Sequence, residues 1–138
     1  MIDIDNYKRA IEWLRRGIPE LSANPTSLAI RLGVLQSFEV TYNISEGLLR
    51  EAFASLDDQE DANFLSTREV ILRAAHDGLG LSSAKRWMHY GFVIESMRES
   101  CMHETEETYD LEPELLLTFA DELESFAHCL EARGLAIA

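Results

Sequence analysis

SAKRWMHYGFVIESMRESCMHETEETYD, residues Ser83 to Asp110, opens as an amphipathic helix and closes in a cluster of Arg, Cys, His and acidic side chains. At about 100° per residue, Tyr90, Val93, Ile94, Met97 and Cys101 share one broad sector with Trp87, which makes that sector the core face of a helix. Arg98 falls about 20° from Trp87 on the same wheel, so a guanidinium sits on the face that should be buried. Such a group persists only when paired and hydrogen-bonded, or when its face borders a wet cleft or a partner subunit. His103 follows about 140° around the helix from Arg98, so on a straight helix the two point apart. Either the helix ends or deforms near Met102, or a site that uses both is built between two chains.

Upstream, Asp5 is placed to cap a first helix carrying Tyr7, Ile11, Leu14 and Ile18 at helical spacing. Gly17 and Pro19 predict a kink or break near its end. Trp13 lies off that stripe and is a candidate partner contact. Beyond Asn24-Pro25, the residues Leu28, Leu32, Leu35, Phe38, Tyr42, Ser45, Leu49, Phe53 and Leu56 step by three and four, predicting a helix from Ser27 to Leu56 about 45 Å long. Gly33 and Gly47 each weaken it by up to about 1 kcal/mol, which close approach of another helix would offset. Glu39, at the edge of the stripe, is the best local counter-ion for an inward Arg98, and Glu46 is the other choice.

Residues Asp57 to Asn63 read as an acidic loop. Ser66 with Glu69 forms a capping box that starts a short helix through His76, and Asp77-Gly78 ends it. His76 reads as a cation at a helix end. Ser82 or Ser83 caps the helix of the opening stretch, and Glu104, Glu106, Glu107 and Asp110 read as a solvated loop. A last helix starts at Pro113 and runs to Arg133, burying Leu116, Phe119, Ala120, Leu123, Phe126, Ala127 and Leu130. Nothing alternates with period two for long enough to predict a strand. The expected fold class is all-α: one domain over residues 1–138, an antiparallel up-and-down bundle of four main helices plus a short one. A two-fold dimer through the long apolar helices is expected.

The chain has 138 residues, nearly half of them apolar, and a formal net charge of −13. That charge repels polyanions at long range, so no DNA contact is expected and any RNA contact must rest on a local arginine patch, for which Arg86 and Arg98 are the candidates. A basic protein partner is the competing explanation. No apolar run is long enough to span a membrane and the N-terminus lacks a secretory pattern, so a cytoplasmic protein is expected. Cys101 and Cys129 are expected to be reduced small hydrophobes. As zinc ligands with His103 and His128 they fit poorly, because adjacent His128 and Cys129 diverge on a helix. No metal and no cofactor are expected; phosphate-cradling glycine loops and nucleophile elbows are absent.

Arg98, four intervening residues and His103, near the end of a helix in a small helical protein, resemble the signature of the HEPN superfamily. Ser37-Phe38-Glu39-Val40-Thr41-Tyr42 resembles the phrase on that family's second helix, and Ser66-Thr67-Arg68-Glu69-Val70-Ile71 resembles the start of its next. Trp87 lies where the family has a Trp before its Arg. More narrowly, the chain is similar to the nucleotidyltransferase substrate-binding proteins, the HEPN halves of HEPN/MNT toxin–antitoxin pairs. The resemblance implies a HEPN-like fold, a homodimer, a nucleotidyltransferase partner, and a metal-independent endoribonuclease. In that activity His103 would be the general acid/base, and Arg98 would stabilise the phosphate across a dimer cleft. Glu39 and Glu99 would be supporting residues. Glu99 stands where the family has a short polar residue, and its charge opposes a phosphate. Thr105 stands where many toxin members have the tyrosine that the partner modifies, leaving Tyr109 or Thr105 as the modification site. The alternative is a noncatalytic nucleotide- or substrate-binding subunit of a separate nucleotidyltransferase, in which Arg98 only pairs with Glu39 or Glu46.

Overall fold

The computed structural model describes residues 2–57, 65–79, 83–103 and 111–137, with the backbone alone described at 56–57 and 100–103. Among these residues there are five helices and two very short strands, β1 (Ile2–Asp3), α1 (Asp5–Ala23), α2 (Leu28–Asp57), α3 (Thr67–His76), α4 (Ala84–His103), α5 (Pro113–Ala132) and β2 (Ala136–Ile137). The expected all-α bundle of four main helices and a short one is the observed architecture. None of the described helices is long and apolar enough to cross a membrane. The expected loops at 57–63 and 104–110 lie outside the described residues, apart from Asp57, which closes α2.

Cross-helix pairs fix the directions. Tyr7 meets Ser45 while Gly17 meets Val34, so α1 and α2 run antiparallel. Lys8 pairs with Glu131 while Arg15 pairs with Asp121 and Glu124, so α1 and α5 do too. Glu39 pairs with Arg98 while Tyr42 reaches Trp87, which sets α2 against α4 in the same way. Short α3 packs on both α2 and α4.

The core lies where the apolar stripes converge. Tyr7, Ile11, Leu14, Ile18 and Leu21 of α1 are buried, as is the whole stripe predicted for α5. Phe119 sits at the centre, its ring 4.6 Å from Phe38, 4.8 Å from Tyr90 and 5.9 Å from Trp87. On α2 the buried stripe begins only at Val34 and Leu35; Leu28 and Leu32, expected inside, are exposed, while Ile30 on another face of the first turn packs partly buried against the core.

Local chemistry corrects several expectations. The carboxylate of Asp3, not Asp5, accepts the N–H of Asp5 at 2.9 Å, and Ile4 occupies the N-cap position. Pro19 lies within α1 without ending it, since Ile18 and Leu21, buried on either side, hold the last turn against the core. Gly33 and Gly47 face open space. Close approach instead occurs at Gly17, where an added Cβ would lie 3.1 Å from Val34 Cγ2, and at Gly91, where it would lie 2.9 Å from the Tyr42 hydroxyl. The Ser66 hydroxyl accepts the Glu69 N–H at 3.1 Å, as the capping box predicts, and Ser83 does the same for Arg86 at 3.3 Å. Gly78 ends the turn after α3 with φ +69°, where glycine has no steric penalty. The Arg133 guanidinium donates to the carbonyls of Asp77 and Gly78 at 2.9 and 3.4 Å, so the end of α5 satisfies the backbone beyond α3.

The strands are a second correction. β1 and β2 pair in parallel with Ile2 opposite Ala136 and Asp3 opposite Ile137. Two residues per strand are too few to show period-two alternation, so only the folded ends reveal the pairing.

Candidate functional site

A cleft of about 410 Å³ opens between α2, α3 and α4. From α2 it receives Glu39, Tyr42, Asn43 and Glu46, from α3 Thr67, Arg68 and Ile71, and from α4 Met88, Gly91, Ile94, Glu95 and Arg98. Spacing explains the lining. Residues 39, 42, 43 and 46 recur at three and four along α2, and 88, 91, 95 and 98 do so along α4, so each helix turns one continuous face to the cavity.

Arg98 is not in the core. Its side chain is 52% exposed and pairs across the helices with Glu39, which is 28% exposed. The angular sector that holds Trp87 under α2 and α5 early in α4 passes out over the cleft by Arg98, because the neighbouring helices no longer cover it. The expectation of Glu39 as counter-ion therefore holds, and of the settings open to Arg98 the bordering cleft is the one observed. Glu46 is engaged elsewhere: its Oε1 accepts from Arg50 Nη2 and from the Thr67 hydroxyl, each at 2.8 Å.

Tyr42 forms part of the floor. Its hydroxyl donates to the Trp87 carbonyl at 3.2 Å, and burial, with a smaller contribution from the Glu46 charge, pushes its pKa up to about 12. Gly91 makes this seating possible, since any side chain there would collide with the phenol.

Arg86, expected to join Arg98 in one patch, is on a different flank. It lies 3.4 Å from the nearly buried carboxylate of Glu122 on α5, which also accepts the Tyr90 hydroxyl at 2.5 Å. Burial, then that hydrogen bond and charge, raises the Tyr90 pKa well above the ordinary phenol value. The arginine that shares the cleft with Arg98 is Arg68.

Of the other expected site residues, Glu99 is exposed on α4 and does not line the cleft. α4 is described as far as His103, one residue past Met102, near which its end was expected, and along it positions 98 and 103 stand about 140° apart. The side chains of Cys101 and His103, together with all of Thr105 and Tyr109, lie outside the described residues. Among the described residues no group of three His, Cys, Asp or Glu is placed to hold a metal ion. Cys129 is half-buried, with its Sγ 3.7 Å from the Gly78 carbonyl.

Sequence reasoning did not single out Asn43, Thr67, Arg68, Gly91 or Glu95 as site residues. The signal was present in another form: the stretches Ser37 to Tyr42, Ser66 to Ile71, and Trp87 to Arg98 all contribute walls of this cleft or residues adjoining them.

No curated protein matches the chain. The profile of the family described as nucleotidyltransferase substrate binding protein like matches residues 2–131, and the chain belongs to that family.

Proposed function

We propose that the chain is the substrate-binding subunit of a separate nucleotidyltransferase and contacts its ligand through the α2/α3/α4 cleft. The observation that carries this reading is the lining itself: carboxylates and guanidinium groups side by side with a partly apolar floor, on a chain of the family described as nucleotidyltransferase substrate binding protein like. Such a lining can orient a polar ligand. A homodimer would double the site. Addition of the chain should lower the KM of its nucleotidyltransferase for the accepting substrate by about tenfold, a difference of about 1.4 kcal/mol in binding. Arg68→Ala and Arg98→Ala should each reverse most of that effect. Unchanged kinetics in the presence of the chain would sink the reading.

A second reading, the metal-independent endoribonuclease toxin of a HEPN/MNT pair, is favoured by one observation. The Arg98 guanidinium is at the surface, where a phosphodiester can reach it. His103 would act as general acid/base and Arg98 would neutralise the transition state. Its test is cleavage of total cellular RNA in EDTA by the purified chain, beside His103→Ala and Arg98→Ala. Cleavage lost in both variants would establish the nuclease and make the nucleotidyltransferase its regulator. No cleavage by the intact chain would leave the binding subunit.

A further inference from the structure

We propose that the Glu39–Arg98 pair is a displaceable latch: it closes the α2/α3/α4 cleft to anions until a phosphate-bearing ligand takes the place of the carboxylate. The inference rests on reading that cleft as the ligand-contacting site.

The charges around the cavity come in matched sets. Glu46 is held by Arg50, and Glu39 by Arg98. Arg68 and Glu95 line the same cavity and make no ion pair with each other or with another residue among those described. With the latch shut, the lining therefore carries no excess of positive charge. With Glu39 released, Arg68 from α3 and Arg98 from α4 face the cavity against Glu95 and a Glu46 already held by Arg50.

Exposure makes the exchange cheap. An ion pair as open as Glu39–Arg98 contributes little to stability. A phosphate offers the guanidinium fork the same bidentate geometry as a carboxylate, with more negative charge. The other cross-helix arginine of α4 shows what a fixed pair looks like. Glu122, opposite Arg86, is nearly buried and also accepts the hydroxyl of fully buried Tyr90, so it cannot leave without stranding a phenol in the core. One helix thus carries a locked carboxylate–arginine pair and a movable one.

The test uses the full chain and pyrophosphate as the probe, followed by NMR at the Arg98 Nε–H and at the Glu39 side-chain carboxyl carbon. In the wild-type chain both signals should shift with one midpoint, since binding at Arg98 and release of Glu39 are the same event. Glu39→Gln should bind pyrophosphate on the order of tenfold tighter, as a competing charge is removed from the fork. The gain should vanish in Glu39→Gln/Arg98→Gln. Unchanged or weaker binding by Glu39→Gln, or an Arg98 shift without one at Glu39, would overturn the latch; the wild-type titration decides even if a variant fails to fold. Displacement of the probe by a mononucleotide or by a short oligoribonucleotide identifies the phosphate source, and displacement by neither also overturns the proposal. Latch behaviour without any effect on nucleotidyl transfer would refute the functional reading alone, and the reverse result would refute the latch alone.

Discussion

The α1/α5 side and the α2/α3/α4 side of the bundle each carry a groove, but among the described residues three ion pairs cross between α1 and α5 while only Glu39–Arg98 crosses between α2 and α4. Between α1 and α5 a groove of about 300 Å³, floored by Ile11 and Ala127, is crossed by Lys8 to Glu131 and by Arg15 to Asp121 and Glu124. The chain ends are joined beside it by β1 and β2. On the other side the short helix α3 leaves α2 and α4 partly uncovered, and the residues at the edges of their stripes are charged or lack a side chain, as at Glu39, Glu46, Gly91, Glu95 and Arg98. A bundle closes where its apolar stripes are continuous and its flanking charges are complementary; it opens where a helix is too short to cover its neighbours.

Three perturbations probe this contrast, the first being the most severe. Phe119→Ala removes the ring that contacts Phe38 on α2 and both Tyr90 and Trp87 on α4, so it should destabilise the chain by about 3–5 kcal/mol in urea unfolding. Because that ring belongs to both sides, amide exchange should accelerate in α1 and α4 alike. Faster exchange in α4 alone would show that the two sides unfold separately.

Alkali should distinguish the sides by their tyrosines. Tyr7, on the α1/α5 side, and Tyr42, at the cleft, both have phenols raised chiefly by burial, Tyr42 to about 12 and Tyr7 beyond that. The unfolded chain loses those protons near pH 10 while the folded chain keeps them, so it binds fewer protons there and stability falls as pH rises. The contribution is whole below pH 10 and declines upward through about pH 12 for Tyr42. Phenolate absorbance should show Tyr42 ionising before Tyr7, and Tyr42→Phe should flatten the stability slope between those two pH values. A slope unaffected by either Tyr→Phe change would contradict the assignment.

The smallest effects should come from glycine. Gly91→Ala drives a methyl group against the Tyr42 phenol and should cost about 1–2 kcal/mol, less in a Tyr42→Phe background. Gly47→Ala, in open space within the same bundle, should stabilise by up to about 1 kcal/mol. Equal responses at the two positions, measured by thermal melting, would erase the distinction between a packed and an idle glycine.

Much of this was legible in the residues. The spacing of Leu116 to Leu130 on α5, of Tyr7 to Ile18 on α1 and of Phe38 to Phe53 on α2 fixes helices and their buried faces, because a helical period repeats over several turns and each repeat adds to the signal. The caps at Ser66 and Ser83 and the stop at Gly78 follow from local hydrogen bonding and backbone sterics. The resemblance at Ser37 to Tyr42, Ser66 to Ile71 and Trp87 to Arg98 points to the family whose profile matches residues 2–131. Glu39 was readable as a partner for Arg98, since it stands at the edge of an apolar stripe and carries the charge that an inward-facing guanidinium needs.

What the sequence by itself determined, then, is most of what is set within a few turns of chain: helix type and approximate length, the caps at Ser66 and Ser83, the apolar faces of α1 and α5 and the unusual charge at Arg98. The tertiary structure alone decided whether that charge was buried. A helical wheel assigns one environment to a whole angular sector, whereas neighbouring helices cover only part of its length. Trp87 and Arg98 share the sector, but α2 and α5 close over the first while the second emerges beside α3. The same reason hid the pairing of Arg68 with Arg98 in one cavity, the separation of Arg86 onto another flank, and the need for glycine at position 91, each of which depends on distances between elements far apart in the chain.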